Sequence, residues 1–120
     1  MITPFHNKNG MLEFPYRAIL DRCFIWPTPA PDKLGKKKII EIPQEFQQSY
    51  QDGTGILLSI GPGFYSQDGK FHATNNELKP GILVQYDKSI PWSTTAIGQD
   101  GKEYFVVICG EQDIVGIIKE

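Results

Sequence analysis

The sequence predicts an all-β domain built as a small barrel, and three observations carry the prediction. Twelve glycines and nine prolines interrupt the 120 residues too often for long helices, because proline removes a backbone donor and glycine weakens a helix interior. Four turn signals, Asp52-Gly53, Asp68-Gly69, Pro80-Gly81 and Asp100-Gly101, divide the chain; glycine there takes the positive φ that tight turns demand. Between the turns lie short runs rich in Ile, Val and aromatic residues, none long enough for an independent helix.

Taken in order, the first candidate strand is Ile19–Trp26, which runs into the prolines at 27, 29 and 31. Gly55–Ile60 follows the Asp52-Gly53 turn and ends at Gly61-Pro62-Gly63. That triplet reads as a strand-terminating turn: proline removes an amide a phosphate loop would use, and no helix follows to add its dipole. Ile82–Tyr86 begins beyond Pro80-Gly81, Tyr104–Ile108 beyond Asp100-Gly101, and Ile114–Ile118 is the last apolar run. Five short strands suggest a small barrel. Gln-Asp-Gly recurs at 51–53, 67–69 and 99–101 with unrelated flanks, so shared turn chemistry explains it rather than an internal repeat.

The length is that of one domain, and the composition, 40% hydrophobic and 22% charged, is that of a folded chain rather than a disordered one. A net charge of −2 recommends neither nucleic acid nor an anionic membrane as partner. No apolar stretch reaches the ~20 residues of a membrane span, and Met1–Gly10 lacks a secretory pattern. A cytoplasmic location is expected.

Chemistry is sparsely provided. Cys23 and Cys109 each lie within an apolar run, where a free thiol is desolvated, buried and inert, so a Cys-His nucleophile with His6 or His72 is not expected. A reducing compartment suits such thiols. No His or Cys pair has metal-ligand spacing, and no metal is expected. Lys33, Lys36, Lys37 and Lys38 form a cationic cluster without interleaved aromatics, which reads as a solvated loop rather than a nucleic-acid site.

The segment from Pro27 to Tyr50 stands apart. It holds those prolines and lysines, then Ile39-Ile40-Glu41-Ile42-Pro43, then a Gln-rich stretch, with no sustained periodicity. Loops longer than ~12–15 residues within a compact domain are usually functional or disordered. An apolar cluster after a glycine is how a segment that folds on binding is written; an ordinary strand over Lys38–Ile42 is the other reading.

Four blocks in order, Gly55–Gly63, Leu78–Val84, Glu103–Val107 and Glu111–Ile117, joined by Asp21-Arg22-Cys23-Phe24-Ile25, resemble the GroES-like co-chaperonin family over residues 19–120. The resemblance implies an irregular β-barrel with a mobile loop at about 27–50 and a roof β-hairpin at about 64–78, tipped by Asp68-Gly69. It makes residues 1–18 an amino-terminal extension, and Met1–Gly10 is expected to be dispensable for the barrel. Ile39, Ile40, Glu41, Ile42 and Pro43 occupy the place of the family's chaperonin-binding triplet. Glu41 interrupts it, yet alternate side chains of an extended segment point the same way, so Ile40 and Ile42 can enter a groove together.

The resemblance further implies a heptameric ring that caps a GroEL-type chaperonin, with ATP held by that partner and client chains enclosed indirectly; the cap itself is no enzyme and needs no cofactor. Ring closure in the family pairs the first strand of one subunit with the last of its neighbour, which nominates Ile19, Asp21, Cys23, Ile25, Ile114, Val115, Ile117 and Ile118 as interface. The rival class is a monomeric β-barrel binding module, and a hydrolase built on Cys109 is a distant third.

Overall fold

The computed structural model describes residues 3–28, 53–87 and 92–119. Eight strands follow in order: β1 (Arg22–Pro27), β2 (Thr54–Ile60), β3 (Gly63–Tyr65), β4 (Phe71–Ala73), β5 (Leu83–Tyr86), β6 (Trp92–Ile97), β7 (Glu103–Gly110) and β8 (Ile114–Ile117). Six of them form one antiparallel sheet in the order β6-β7-β1-β2-β5-β8, while β3 and β4 pair as a separate ribbon. Glycines 53, 69, 81 and 101 of the four turn signals all have positive φ, as their turns require.

The sheet is a barrel because it curls around one core. Cys23 and Ile25 of β1, Leu57 of β2, Val84 of β5 and Val107 of β7 are buried together, with Ile114 and Ile117 of β8 packed against them. β7 and β8 are separated by three strands across the sheet, and only curling brings both to the same cluster. A bulge assists: Phe24 pairs with Ser59 but Ile25 with Leu57, leaving Leu58 as the extra residue. Such a bulge bends its strand and increases the local twist. It also restores Ile60 to the inner face beside Cys23, where strict alternation from Leu57 would have turned it outward.

The reverse face of β1 and β7 is buried as well. Trp26, Leu58, Ala96 and Val106 form a second cluster, and its lid is Phe5, with no exposed surface, supported by Leu12 and Phe14. Residues 3–16 fold back on themselves to present that ring. The Asn7 amide donates to the Met11 carbonyl (2.8 Å), the Glu13 amide to that of Phe5 (2.9 Å), and the Gln99 amide to that of Pro4 (2.9 Å). Phe5 makes edge contacts with Phe14 and Tyr104 at 5.0 and 6.1 Å. Met1–Gly10 is expected to be dispensable for the barrel; the complete burial of Phe5 speaks against that, because a sheet apolar on both faces needs a cover on each.

Two interface residues also need correction. β1 is hydrogen-bonded on both sides, to β2 and to β7, and the side chains of Cys23 and Ile25 are wholly buried in the inner core. They hold the barrel together and offer no edge to a neighbour.

Cys23 and Cys109 face each other across β1 and β7 as free thiols. Their mutual hydrogen bond, then burial, pushes the Cys23 thiol far above its ordinary pKa. The Glu111 amide donates to the Asp21 carbonyl at 2.8 Å, so two residues along the ladder the cysteines form a hydrogen-bonded pair. The Cβ atoms of such a pair are about 5.5 Å apart, wider than the ~3.5–4.5 Å of a disulfide. Both thiols should therefore resist an aromatic disulfide reagent until denaturant is added. Because the folded pKa of Cys23 is raised, the associated stability is complete below the ordinary thiol pKa of about 8.5 and is lost as pH rises beyond it, as that thiol ionises in the unfolded chain. A series of melting curves from pH 7 to 10 checks the sign; a melting temperature that rises with pH overturns it.

Candidate functional site

The chaperonin-binding candidates Ile39, Ile40, Glu41, Ile42 and Pro43 lie outside the described residues; the stem of their segment does not. The Thr28 amide donates to the Thr54 carbonyl at 2.9 Å, and the Thr54 hydroxyl donates to the Thr28 carbonyl at 2.6 Å. Both threonines are buried. Pro27 is paired with Gly55 inside the β1–β2 ladder, so Pro27 and Thr28, at the start of the loop expected at about 27–50, are bonded into the barrel. This clasp holds the two ends of the intervening segment side by side, which removes loop-closure entropy that a binding segment would otherwise lose on docking.

A second feature is the edge at β8. Among the described residues β8 pairs on one side only, with β5. Ile114 and Ile117 lean on the inner core, Ile118 is half-buried and its amide bonds to the Leu83 carbonyl, whereas Val115 is 66% exposed. Beneath this edge runs an open groove of about 720 Å³, lined by Ala73, Asn75, Glu77, Glu111 and residues of β8. The Asn75 amide donates to the Glu111 carboxylate and ties the groove's two walls together.

Ile19 and Leu20 are 65% and 50% exposed, and Leu20 has φ +54°. A branched residue in the left-handed region is strained, and such strain persists only where surroundings enforce it. Here the Leu20 carbonyl accepts from the Gly63 amide and that of Arg22 from Gly61. A Cβ at Gly61 would stand 2.2 Å from the Leu20 carbonyl oxygen, so glycine is what lets the two segments meet. These backbone bonds hold the turn with both apolar side chains out in solvent. Of the predicted interface residues, Ile19 and Val115 stand free, Asp21 is half-buried, and Ile114, Ile117 and Ile118 supply the edge backbone.

The third feature is the ribbon. β3 and β4 pair Phe64 with His72 and Tyr65 with Phe71, and the turn is closed by Ser66 and Lys70 with the Asp68 carboxylate accepting from the Lys70 amide at 3.1 Å. That matches the hairpin expected around Asp68-Gly69. Leu78, the far end of the range first drawn, belongs instead to the inner core.

No catalytic constellation is assembled among these groups. The thiols are in the inner core, His6 accepts from the Thr3 amide at 2.9 Å, and His72 is stacked on Phe64. Among the described residues no group of three or more His, Cys, Asp or Glu side chains is placed to hold a metal, and no helix is long and apolar enough to cross a membrane. Sequence reading missed Leu20 and the ribbon aromatics as surface features. Phe64, Tyr65, Phe71 and His72 flanking an Asp-Gly turn were the available sign, since apolar rings on both faces of a short hairpin have no single core to enter.

No family model matches the sequence. The chain is 32% identical over 102 residues to the Co-chaperonin GroES of Pelagibacter ubique (strain HTCC1062), covering 85% of this chain and 95% of that protein.

Proposed function

Because the chain belongs to the GroES-like co-chaperonin family, we propose that it caps a GroEL-type chaperonin as a heptameric ring and assists ATP-dependent folding in the closed chamber. The similarity to a co-chaperonin along nearly the whole of both proteins carries this reading. The cap performs no chemistry and binds no cofactor: ATP belongs to the chaperonin, and client chains meet the cap only as the contents of the chamber. The cytoplasm is where such a partner and two reduced thiols are expected.

In this reading the segment held by the Thr28–Thr54 clasp is the mobile loop, and Ile40 and Ile42 are its anchors, flanked by Ile39, Glu41 and Pro43. Ordering a loop costs about 1–2 kcal/mol per residue, so each contact is weak. Seven tethered loops recover affinity through effective concentration. Weak single contacts also permit release, because a change in the chaperonin surface with nucleotide state alters affinity at every loop together.

The ring closes through the one-sided β8 edge and the exposed Ile19. An unpaired apolar edge is an aggregation hazard on a monomer, and a closed heterologous ring removes it. Sedimentation velocity at micromolar concentration should show a heptamer, and co-sedimentation with a GroEL-type chaperonin should require nucleotide. A monomer that never joins the chaperonin would favour the free-standing binding module and end this proposal.

A further inference from the structure

Residues 3–16 form a strap over the outer face, and the tip of its turn is Asn9-Gly10, the one Asn-Gly step in the sequence. Both residues are exposed, and a Cβ at Gly10, which has φ +81°, would meet nothing within 4 Å. Such a step is chemically labile, because a glycine amide nitrogen reaches the carboxamide carbon before it without steric hindrance. The other asparagines differ. Asn7 uses both ends of its carboxamide, accepting from the Asn9 and Met11 amides at 2.8 and 3.0 Å and donating to Glu13 at 2.9 Å. The Asn75 carboxamide oxygen accepts from the Glu77 amide at 2.8 Å. No hydrogen bond holds the Asn9 carboxamide among the described residues.

The turn itself restrains the reaction. The Gly10 amide donates to the Asn7 carbonyl at 2.9 Å and the Asn7 amide to the Met11 carbonyl at 2.8 Å, so the Gly10 nitrogen is no nucleophile until the turn opens. Exposed bonds at a loop tip are the first to open. We propose that Asn9-Gly10 is a self-modification site, gated by the Asn7 turn, whose product unlatches the strap. In the opened turn the Gly10 nitrogen gives up its proton and bonds to Cγ of Asn9; the Cγ–Nδ2 bond breaks, and ammonia leaves with that proton. Water then opens the cyclic imide. Cleavage between the nitrogen and Cγ gives aspartate, while cleavage between the nitrogen and the main-chain carbonyl gives isoaspartate, whose chain is longer by a methylene. Water enters and ammonia leaves, with nothing oxidised or reduced.

The added methylene falls inside a turn that the Asn7 carboxamide closes by bonding two amides at once, a geometry the longer chain no longer matches. The next rung is the Glu13 amide on the Phe5 carbonyl. Phe5, wholly buried over the outer cluster, thereby loses its anchorage.

The test ages the full chain in mildly alkaline buffer and weighs its tryptic peptide 9–17. That peptide should gain the mass difference between amide and acid and become a substrate for isoaspartyl methyltransferase, while peptides holding Asn7, Asn75 and Asn76 stay unchanged. Asn7→Ala should speed the reaction roughly tenfold, the factor that one or two lost hydrogen bonds give an opening equilibrium. The denatured chain should react faster still. Aged protein should melt lower than fresh, whereas an Asn9→Gln chain aged beside it keeps its melting temperature, since the longer side chain closes a ring far less readily. No mass gain in the folded chain or in Asn7→Ala, when the denatured chain reacts, overturns the site. A rate that Asn7→Ala leaves unchanged, or one equal in folded and denatured chains, overturns the gate. Modified protein that melts with the fresh overturns the unlatching.

Discussion

Replacing Phe5 with alanine should lower the melting temperature by roughly 10–25 °C, the shift that a loss of about 3–5 kcal/mol produces in a domain of this size. The magnitude follows from complete burial of the ring among Trp26, Leu58, Ala96 and Val106, where truncation removes both transfer energy and edge contacts and leaves a cavity. Folded domains have only about 5–15 kcal/mol in total, so deletion of residues 1–11 should bring the barrel close to unfolding. Met11→Ala is the control: that side chain is 65% exposed and should change stability by less than about 0.5 kcal/mol. Thermal melts followed by far-ultraviolet circular dichroism decide the matter. A Phe5→Ala protein that melts within two or so degrees of the parent would show that the amino-terminal strap is not part of the folded core in solution.

The Ile40→Ala, Ile42→Ala double variant should behave in the opposite way, melting like its parent while failing to co-sediment with chaperonin and nucleotide. If each isoleucine buries a branched aliphatic side chain on docking, its removal costs up to roughly 1.5–3 kcal/mol per loop. Seven loops bound together multiply even a small loss. Were these residues a core strand instead, each substitution would cost about 2–5 kcal/mol of folding stability, and the melting temperature would fall. Glu41→Ala should leave capping intact or strengthen it, because a carboxylate near an apolar groove resists desolvation. Undiminished capping by the double variant, with the ring intact, refutes these anchors.

The strands were legible because their residues decide locally. Gly55–Ile60, Ile82–Tyr86 and Ile114–Ile118 lie within a residue of observed boundaries; for the first two, turn glycines with positive φ, Gly53 and Gly81, mark where the strand begins. β6 was not legible. Its Trp-Ser-Thr-Thr-Ala-Ile has no apolar alternation, and it becomes a strand by pairing with all of Glu103–Ile108 in β7. The strap was misjudged for a related reason. Phe24-Ile25-Trp26 and Tyr104–Cys109 are continuous apolar runs, and such runs mean burial on both faces, but nothing local says what covers the second face.

The interface residues divide the same way. That β8 ends the sheet with one side unpaired among the described residues, and that β1 is central with Cys23 and Ile25 in the inner core, are properties of strand order. Strand order is set by long-range pairing and curling.

By itself, then, the sequence determined the all-β class, the turns, the burial of both thiols and, through its ordered blocks, the family. Those depend on residue chemistry within a few positions along the chain. The tertiary structure alone decided that Phe5 closes the outer face, that Leu20 is held strained beside Gly61, and that the β3–β4 ribbon keeps its rings in solvent. Each is a contact, or the lack of one, between segments whose meeting no local pattern encodes, because it depends on how the whole sheet bends around its core.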